Sequence, residues 1–381
     1  MSDPRRLARG ARRVVSTMQE LSAVAGLSRP TLSKYFADPA SVRPATRARI
    51  EGALARVDYA PNLLAMNLDR RRSRLLGVLV PTLGDPFFAE LVRRVEEAAA
   101  AAGYLAVTQS AHGLAAEQAR LLRQMRSLGV AGAVVAPMDA PGGDAALAAL
   151  ARAVPVALAD SRAGLALPFA GTRNAESVAR IAGYLCDTAP PGGGPPLLLA
   201  MPGVNRNAAE RRAGFEAELR RRGLAPRVVE PGAAPGREGG GWDFEAAGRA
   251  AMRRLLAGGL PRGATVLCAN DRLAIGALAA AWEAGVRVGR DAGPGGGAWL
   301  RVAGHDDNPL SAHLCPPLTT VRQDVAAIGR AAVELLVAAI ERAAEGAATG
   351  TGQTSGPEPE AGGAPPPERL LGAELVIRES A

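Results

Sequence analysis

Side chains that could bind nucleic acid are concentrated in a short segment near the N-terminus. Apolar residues before this segment repeat at helical spacing, Gly26 permits a tight turn, and Ser28 can cap a second helix. That second helix would present Arg29, Pro30, Thr31, Ser33 and Lys34. Guanidinium, ammonium and hydroxyl groups donate hydrogen bonds to base edges and phosphates. A helix-turn-helix motif places the N-terminal residues of its second helix in the major groove. We therefore predict that this segment binds double-stranded DNA.

The distribution of charge supports this prediction. The chain of 381 residues has a formal net charge of +8. Residues 1–74 hold 15 basic and 6 acidic side chains, whereas the other 307 residues hold 30 basic and 31 acidic ones. A basic head on a nearly neutral body is typical of a nucleic-acid-binding unit joined to another domain. Residues 1–16, which include five arginines, are predicted to form a basic flexible arm.

Beyond residue 74 the pattern changes to short apolar runs that alternate with helical segments. The first runs are predicted to be strands at Leu75–Pro81, Leu105–Gln109, Ala131–Pro137 and Val154–Asp160. A second set of strands and helices follows, from about Phe169 to Gly304. Continuous apolar strands joined by helices are typical of parallel sheets that are covered on both faces. We predict an α/β body built from two such sets.

The segment that joins the head to the body carries a more specific signal. Asp58-Tyr59-Ala60-Pro61-Asn62 is followed by Leu63-Leu64-Ala65-Met66-Asn67-Leu68, an arginine cluster at 70–74 and an apolar strand. Together with the helix-turn-helix motif and the alternating body, this succession resembles the lactose-repressor-type (LacI/GalR) family of bacterial transcription regulators. The resemblance covers nearly the whole chain. It implies a DNA-binding domain at 17–60, a hinge helix and linker at 61–74, and a ligand-binding and dimerisation body at 75–381.

The resemblance also implies that the hinge folds on the operator, in a homodimer, and inserts a leucine into the minor groove. Leu68 occupies that position, and Ala65 precedes it at helical spacing. An isolated segment of this length would not form a stable helix in water, because helix nucleation is costly. The alternative is that Leu68 only packs on the first strand of the body. The candidate DNA-binding residues are Thr17, Ser28, Arg29, Pro30, Thr31, Ser33, Lys34, Asn62, Ala65 and Leu68.

For the body, the resemblance implies a periplasmic-binding-protein-like fold with two lobes and a parallel sheet in each. We expect lobe 1 at about 75–170 and 324–343, and lobe 2 at about 171–321 and 369–379. Residues 346–367 are rich in Gly, Ala, Thr and Pro and are predicted to be a disordered insertion. No leucine heptad follows the last predicted strand, which favours a homodimer over a tetramer.

Motifs shared with the family imply a small-molecule site in the cleft between the lobes. Asp85-Pro86-Phe87-Phe88 stands where the family typically has Asn-Pro-Phe-Phe, and Arg211 lies in an Arg-x-x-Gly-Phe motif. The expected ligand-binding residues are Asp85, Phe87, Phe88, Asp160, Arg211, Trp242, Asn270, Asp306 and Gln323. Aromatic rings with one guanidinium and several carboxylates or amides suit a sugar or a related polyol. The alternative is a purine-sensing regulator of the same architecture, since nucleobases also stack on aromatic rings.

An enzymatic function would have few groups to use. His305, Asp306 and Asp307 could hold a metal and His112 could act as a base, but adjacent residues after a strand point to opposite faces. The sequence contains no nucleophile elbow, P-loop or Cys/His cluster. We expect no enzyme activity, no cofactor and no metal.

Cysteine usage and hydropathy indicate the compartment. Cys186, Cys268 and Cys315 fit neither a disulfide framework nor a metal site, which agrees with a reducing environment. Residues 1–16 lack the apolar core of a signal peptide, and no apolar run is long enough to span a membrane. We therefore expect a cytoplasmic protein without membrane contact.

Overall fold

The structure is a computed structural model that describes residues 13–59, 73–139, 142–232, 242–291, 299–349 and 365–381. The chain divides into two compact units, Met1–Ser73 and Arg74–Ala381. The predicted hinge residues Asn62, Ala65 and Leu68 lie outside the described residues, as do residues 1–12 of the predicted arm. No helix in the described part of the chain is long and apolar enough to cross a membrane.

Within residues 13–59, the N-terminal unit contains three α-helices and two short strands. They are β1 (Arg13–Val15), α1 (Met18–Ala25), α2 (Arg29–Ala37), α3 (Pro44–Leu54) and β2 (Val57–Tyr59). The two strands are parallel, with Arg13 opposite Val57 and Val15 opposite Tyr59. The prediction of a flexible arm over residues 1–16 is therefore wrong for residues 13–15. The strand depends on pairing with a distant segment, and the arginine content of the arm gives no sign of that pairing.

Local sequence signals define the helix-turn-helix motif. The Thr17 hydroxyl oxygen accepts a hydrogen bond from the Glu20 amide, and the Glu20 carboxylate accepts one from the Thr17 amide, which together form a capping box. Gly26 has a φ of 61°, a left-handed conformation that ends α1. Arg49 of α3 donates to the carbonyl oxygens of Ala25 and Gly26 and so fixes the turn. The fully buried centre of this small core is Leu21, Leu32, Ile50 and Ala53.

The body alternates strands and helices along its length. Its first part consists of β3 (Leu75–Val80), α4 (Pro86–Ala101), β4 (Leu105–Ser110), α5 (Ala115–Ser127), β5 (Gly132–Val135), α6 (Gly143–Ala151), β6 (Val156–Ala159) and β7 (Phe169–Thr172). The middle part consists of α7 (Asn174–Asp187), β8 (Leu197–Leu199), α8 (Arg206–Arg221), β9 (Arg227–Val229), α9 (Phe244–Ala257), β10 (Thr265–Cys268), α10 (Asp271–Glu283), β11 (Arg287–Val288) and β12 (Trp299–Ala303). The last part consists of β13 (Thr320–Gln323), α11 (Val325–Thr349), β14 (Glu368–Leu371) and β15 (Ala373–Val376).

The first lobe is built on a six-stranded parallel sheet with the spatial order β14-β7-β6-β5-β3-β4. One apolar cluster joins the sheet to α4 and α11, and a second joins it to α5 and α6. Both faces of the sheet are thus covered by helices. This explains why β3, β5 and β6 are continuous runs of buried residues instead of alternating ones.

The second lobe has a five-stranded parallel sheet with the order β11-β12-β10-β8-β9. Helices α7 to α10 pack on it. The core that they form with the sheet includes the buried aromatic side chains of Phe215 and Phe244. The predicted fold class, an N-terminal helix-turn-helix unit and a body with two parallel sheets, is confirmed.

Several predicted boundaries are wrong. Residues 171–172 and 369–371 were expected in lobe 2, but they belong to β7 and β14 of the first sheet. Helix α11 continues to Thr349, so residues 346–349 are helical instead of part of a disordered insertion, and 350–364 lie outside the described residues. Apolar runs indicate where strands are but not which sheet they join, because strand pairing is a long-range property.

Two short strands connect the lobes. β13 and β15 form their own antiparallel pair, with Thr320 opposite Val376 and Gln323 opposite Ala373. Isolated parallel bridges join Ala303 to Thr319 and Asp306 to Arg322. The polar end of β12 is therefore held beside β13, where the chain passes from the second lobe to α11 of the first.

Candidate functional site

The predicted DNA-binding residues in the described part of the chain surround the starts of α1 and α2. Those that are exposed are Thr17, Ser28, Arg29, Pro30 and Lys34, and those that are half-buried are Thr31 and Ser33. Ser28 caps α2, since its Oγ accepts from the Thr31 amide and lies 2.8 Å from the Thr31 Oγ1. Among the described residues, no carboxylate pairs with Arg29 or Lys34. Both cations are therefore available to a polyanion.

Arg211 of α8 lies at the centre of the body and is only 3% exposed. Its Nε donates to the Asn174 Oδ1 at 3.0 Å, and its Nη1 donates to the Ala269 carbonyl oxygen at 2.7 Å. Its Nη2 lies 3.0 Å from the Asp306 Oδ1. The guanidinium thus ties α8 to the start of α7, to the end of β10 and to the loop after β12. Partners in the described part of the chain use three of its five N–H groups.

Asp306 is the acceptor on which this network converges. Its Oδ1 also accepts from the Gln323 Nε2 at 2.8 Å and lies 3.0 Å from the His305 Nδ1. Burial opposes ionisation of Asp306, but the Arg211 charge and these hydrogen bonds hold its pKa below the usual range. Burial and the Arg211 charge lower the pKa of His305 to about 4. His305 is therefore neutral at pH 7, and because the carboxylate can only accept, the ring proton is on Nδ1.

Asp160 ends β6 in a left-handed conformation with a φ of 65°. Its Oδ1 accepts from the Asn207 Nδ2 at 3.0 Å, so it links the first lobe to α8 of the second. Burial raises the pKa of Asp160 to about 7, and the charges of Asp306 and Asp85 act in the same direction while Arg211 opposes them. This carboxyl has one amide donor and no hydrogen-bonded cation among the described residues.

Asp85 is fully engaged by the protein. Its Oδ1 caps α4 by accepting from the Phe87 amide at 3.0 Å, and its Oδ2 accepts from the Arg272 Nη1 at 3.2 Å. Burial raises the pKa of Asp85, and the Arg272 guanidinium counteracts this effect. The negative charge that distinguishes Asp85 from the asparagine of the family motif is thus paired with a cation of the second lobe.

Two amide side chains complete the polar set. Asn270 caps α10, because its Oδ1 accepts from the Leu273 amide at 2.8 Å. Among the described residues, its Nδ2 has only the Met201 sulfur as a partner, at 3.5 Å, and a thioether is a weak acceptor. The Oε1 of Gln323, on β13, accepts from the Thr172 hydroxyl of β7. Asn270 therefore retains a donor for a ligand, whereas Gln323 is held between the two lobes.

The two phenylalanines of the Asp-Pro-Phe-Phe segment differ in their surroundings. Phe88 is buried in the core of the first lobe, and Phe87 is half-buried. Phe88 meets the Trp242 ring edge-on, with centroids 5.7 Å apart, and Trp242 in turn meets Phe244 at 5.5 Å. Trp242 packs against the cores of both lobes. It lies at the contact between the lobes, as expected for a residue that covers a ligand.

A groove of about 820 Å³ opens beside this network. The predicted ligand-binding residues on its surface are Asp85, Phe87, Asp306 and Gln323. The predicted residues that do not line it are Phe88, Asp160, Arg211, Trp242 and Asn270. Charge interactions nevertheless connect Asp160 with Arg211 and with the groove residues Asp306 and Asp85.

Sequence reasoning missed several residues that organise this cluster. Asn174 and Asn207 bond to each other and to Arg211 and Asp160. Asp271 is completely buried, and its carboxylate accepts from Ser311, Thr320 and Asn308. Burial, with the Asp306 charge, raises the pKa of Asp271 to about 7. The available signal was position, because Asn174 and Asp271 lie two and three residues after β7 and β10, and polar residues near the ends of parallel strands are typical of sites.

The residues of the rival metal site are held by other partners. The His305 Nε2 lies 2.8 Å from the Ser177 hydroxyl and its Nδ1 binds Asp306, while Asp307 pairs with Arg322 and Arg378. These side chains therefore do not converge. No group of three or more His, Cys, Asp or Glu residues that could hold a metal ion occurs in the described ranges.

The cluster suits a ligand that both donates and accepts hydrogen bonds. Arg211 and Asn270 offer donors, and Asp160 and Asp306 offer carboxylate oxygens. A hydroxyl group can donate to a carboxylate and accept from a guanidinium at the same time. The arrangement is therefore chemically complementary to a polyol.

Comparisons with known proteins agree with both units. The description "Bacterial regulatory proteins, lacI family" matches residues 17–62, and "Periplasmic binding protein domain" matches residues 76–345. The chain is 30% identical over 367 residues to the HTH-type transcriptional repressor CytR of Escherichia coli (strain K12), with 96% of each protein covered. It is 28% identical over 332 residues to the ribose operon repressor of the same strain, with 85% of this chain and 92% of the relative covered.

The fold is also that of a solved structure. The lac repressor dimer bound to operator and the anti-inducer ONPF matches this chain with a TM-score of 0.72 at 24% sequence identity. The match covers 96% of this chain and 98% of the other. The two-lobe body with an N-terminal helix-turn-helix unit is thus a known architecture.

The buried carboxyl of Asp160 should make stability depend on pH. The pKa of this carboxyl is 3.8 in the unfolded chain and about 7 in the folded protein. At pH values between these two, folding is accompanied by uptake of a proton. Its contribution to stability is therefore lost as the pH rises through about 7. We expect Asp160→Asn, which cannot ionise, to raise the free energy of unfolding near pH 8 by roughly 1 kcal/mol or more. This difference from the wild type should shrink as the pH falls towards 4. Urea denaturation at several pH values measures it.

Asp187→Asn is the matched control for this experiment. Hydrogen bonds from Arg222 lower the pKa of Asp187, so its contribution to stability is present at neutral pH and lost in acid. The Asp187→Asn variant should therefore be less stable than the wild type at neutral pH. A stability difference for Asp160→Asn that does not change between pH 4 and 8 would contradict the assignment of a raised pKa to Asp160.

Proposed function

This chain belongs to the lacI family of bacterial regulatory proteins, and from that premise we propose that it binds a palindromic operator as a homodimer under the control of a sugar or sugar derivative. It is a ligand-responsive transcriptional repressor, like the relatives it resembles over nearly its whole length. The proposal adds the form of the operator, the class of effector and action in the bacterial cytoplasm, where operator DNA lies.

On the DNA side, the proposal rests on the start of α2. Arg29 and Lys34 are exposed cations without a carboxylate partner among the described residues, and Leu32 anchors the helix from its opposite face. Arginine and lysine are the residues that contact guanine most often in the major groove. Hinge residues 61–68 are proposed to fold on the operator and to place Leu68 in the minor groove, as the family resemblance implies.

On the effector side, one observation carries the proposal. Arg211, which is buried, and Asp306, which is half-buried, form an ion pair 3.0 Å apart, and Asp160 of the first lobe interacts electrostatically with both. Unused acceptors on the carboxylates and unused donors on Arg211 suit neighbouring hydroxyl groups. The name of one relative, the ribose operon repressor, refers to a sugar and adds support. A purine is favoured less, because Phe88 and Phe244 both meet Trp242 edge-on instead of leaving a parallel gap for a base.

Control of DNA binding then follows from a population shift. A ligand that contacts both lobes changes their relative orientation, and the body is joined to the DNA-binding unit through the hinge. The ligand can change the affinity for the operator by no more than the ratio of its own affinities for the two arrangements of the lobes.

Selection of bound duplexes from a random DNA library, at low and high salt, tests the DNA-binding part. We expect enrichment of a two-fold palindrome, because each subunit of a dimer reads one half-site. Affinity for unselected DNA should fall steeply with salt, since phosphate contacts release counterions. Enrichment of a single non-repeated site, or of no sequence at all, would oppose the proposal of a dimeric repressor.

Leu68→Ala tests the proposed hinge contact. Alanine keeps the helix propensity of the segment but removes the apolar wedge, so operator affinity should fall by roughly 10- to 100-fold. Affinity for a scrambled duplex should change little, because that binding is electrostatic. Fluorescence anisotropy with both duplexes measures the difference. Leu63→Ala makes the same truncation in the same segment and serves as the control. An equal loss on both duplexes would argue against a wedge.

Arg211→Ala tests the proposed effector site. Operator binding without effector should be close to that of the wild type, whereas release by the most effective sugar from a screen should be abolished. The loss follows because the guanidinium supplies donors and holds Asp306 in place. Arg212→Ala is the matched control, since the neighbouring Arg212 is about half exposed and pairs with Glu216 and Glu230. A retained response in Arg211→Ala would remove Arg211 from the site.

A further inference from the structure

Arg162 forms a three-way contact at one flank of the cleft. It follows β6 in the first lobe, and its Nε and Nη2 donate to the two carboxylate oxygens of Glu368 in the same lobe, at 3.2 and 3.0 Å. Its guanidinium carbon lies 4.4 Å from the centre of the Phe169 ring, also in the first lobe. The remaining nitrogen, Nη1, reaches across the cleft to Glu210 of α8 at 2.9 Å.

Arg272 repeats this design from the other lobe. It lies on α10, and its Nε and Nη2 donate to the two carboxylate oxygens of Glu245 in the second lobe, at 2.7 and 2.6 Å. Its guanidinium carbon lies 5.2 Å from the centre of the Phe244 ring. Its Nη1 reaches across the cleft to Asp85 of the first lobe at 3.2 Å.

The two contacts are reciprocal. In each, a bidentate carboxylate and an aromatic ring fix the arginine in its own lobe, and the same nitrogen, Nη1, is left to bind a carboxylate of the opposite lobe. We propose that Arg162 and Arg272 are positioning residues that form two arginine clasps, one from each lobe, and that these clasps hold the lobes closed. The first clasp comprises Arg162, Glu368, Phe169 and Glu210, and the second comprises Arg272, Glu245, Phe244 and Asp85.

Their geometry makes these clasps stronger than ordinary surface ion pairs. A surface pair contributes little, because two flexible side chains must be ordered and water screens the charges. Here each guanidinium is already ordered by its own lobe, so closing the cleft orders only one further carboxylate side chain. The second clasp is the better shielded, because the side chains of Arg272 and Asp85 are 14% and 11% exposed, compared with 30% each for Arg162 and Glu210. Arginine is required, since lysine cannot bind three acceptors with a rigid planar fork.

The clasps favour closure before any effector binds. A consequence for the effector rests on the proposed function. The apparent affinity for the effector is proportional to the fraction of molecules in which the cleft is closed. Weakening a clasp should therefore weaken effector binding without a change in any residue that contacts the ligand. The clasps themselves can be tested without effector or DNA, so their failure would not be confused with failure of the proposed function.

Two backbone amides report directly on lobe separation. The Asp139 amide of the first lobe donates to the Val204 carbonyl oxygen of the second at 2.8 Å, and the Arg206 amide of the second lobe donates to the Ser161 Oγ of the first at 3.2 Å. Both bonds break when the lobes separate, even if each lobe stays folded. The Ala269 amide donates to the Leu199 carbonyl oxygen within the second lobe, so separation of the lobes leaves this hydrogen bond intact.

Hydrogen exchange of the full-length protein, in the absence of effector and DNA, is the test. We expect Arg162→Gln and Arg272→Gln each to speed exchange of the Asp139 and Arg206 amides by about three- to tenfold. In the double variant the factors should multiply to roughly 10- to 100-fold, because both clasps act on one opening motion. Exchange of the Ala269 amide should stay within about twofold of the wild type.

The position of the two reporter amides makes the test specific. The Arg206 amide is the first of α8 and the Asp139 amide binds Val204 just before α8, whereas Arg272 lies on α10. An effect of Arg272→Gln on them therefore requires movement of whole lobes. Glu210→Gln and Asp85→Asn keep an acceptor oxygen but remove the negative charge that Arg162 or Arg272 binds across the cleft, and they provide the same test if an arginine variant does not fold.

Arg222→Gln is the matched control. Arg222 also binds two carboxylates, those of Asp187 and Glu218, but all three residues are in the second lobe. It should leave the exchange of both reporter amides unchanged. The proposal is overturned if the clasp variants leave these amides unchanged, if Arg272→Gln does not affect them, or if the Ala269 amide accelerates equally, which would indicate general destabilisation.

Discussion

The ion pair between Arg211 and Asp306 is the contact around which the cleft is built. Taking both charges out of water is costly, and only close geometry with further hydrogen bonds offsets that cost. The protein meets this requirement with four further residues, since Asn174, Ala269, His305 and Gln323 all bind one partner or the other. The start of α7, the helix α8, the end of β10, the loop after β12 and the strand β13 are consequently fixed relative to one another. Loss of either charge would leave the other buried and uncompensated.

Much of the fold was predictable because its signals are local. The capping residues Thr17 and Ser28 and the left-handed Gly26 depend only on their immediate neighbours, and the α/β alternation follows from apolar runs of strand length. The errors concern pairing over long distances. Strand Arg13–Val15 exists because Val57–Tyr59 lies beside it, and Glu368–Leu371 completes the first sheet by pairing with a strand about 200 residues earlier. Neither partner can be read from the segment itself.

The site was predictable to a similar extent. Motifs gave Arg211, Asp306 and Asp160 as candidates, and the structure brings these three into one electrostatic cluster. The sequence could not show which hydrogen-bond partners each of these groups has. Asp85 has the type and position of a ligand acceptor, yet its two oxygens are taken by the Phe87 amide and by Arg272, a residue 187 positions away that no motif marks. Side-chain partners across the cleft depend on the closed arrangement of the lobes, and no pattern within one segment encodes it.

Electrostatics also explains how a small molecule could control such a body. Closing the cleft brings Asp85 and Asp160 of the first lobe towards Asp306 of the second, and the mutual effects on their pKa values show that like charges are brought together. This repulsion and the desolvation of Asp160 favour opening, whereas the two arginine clasps favour closing. The two sets of contributions therefore act on the balance between the two arrangements in opposite directions. A ligand that supplies hydroxyl donors to Asp160, which has a single amide donor among the described residues, would shift this balance by as much as its affinity differs between the two arrangements.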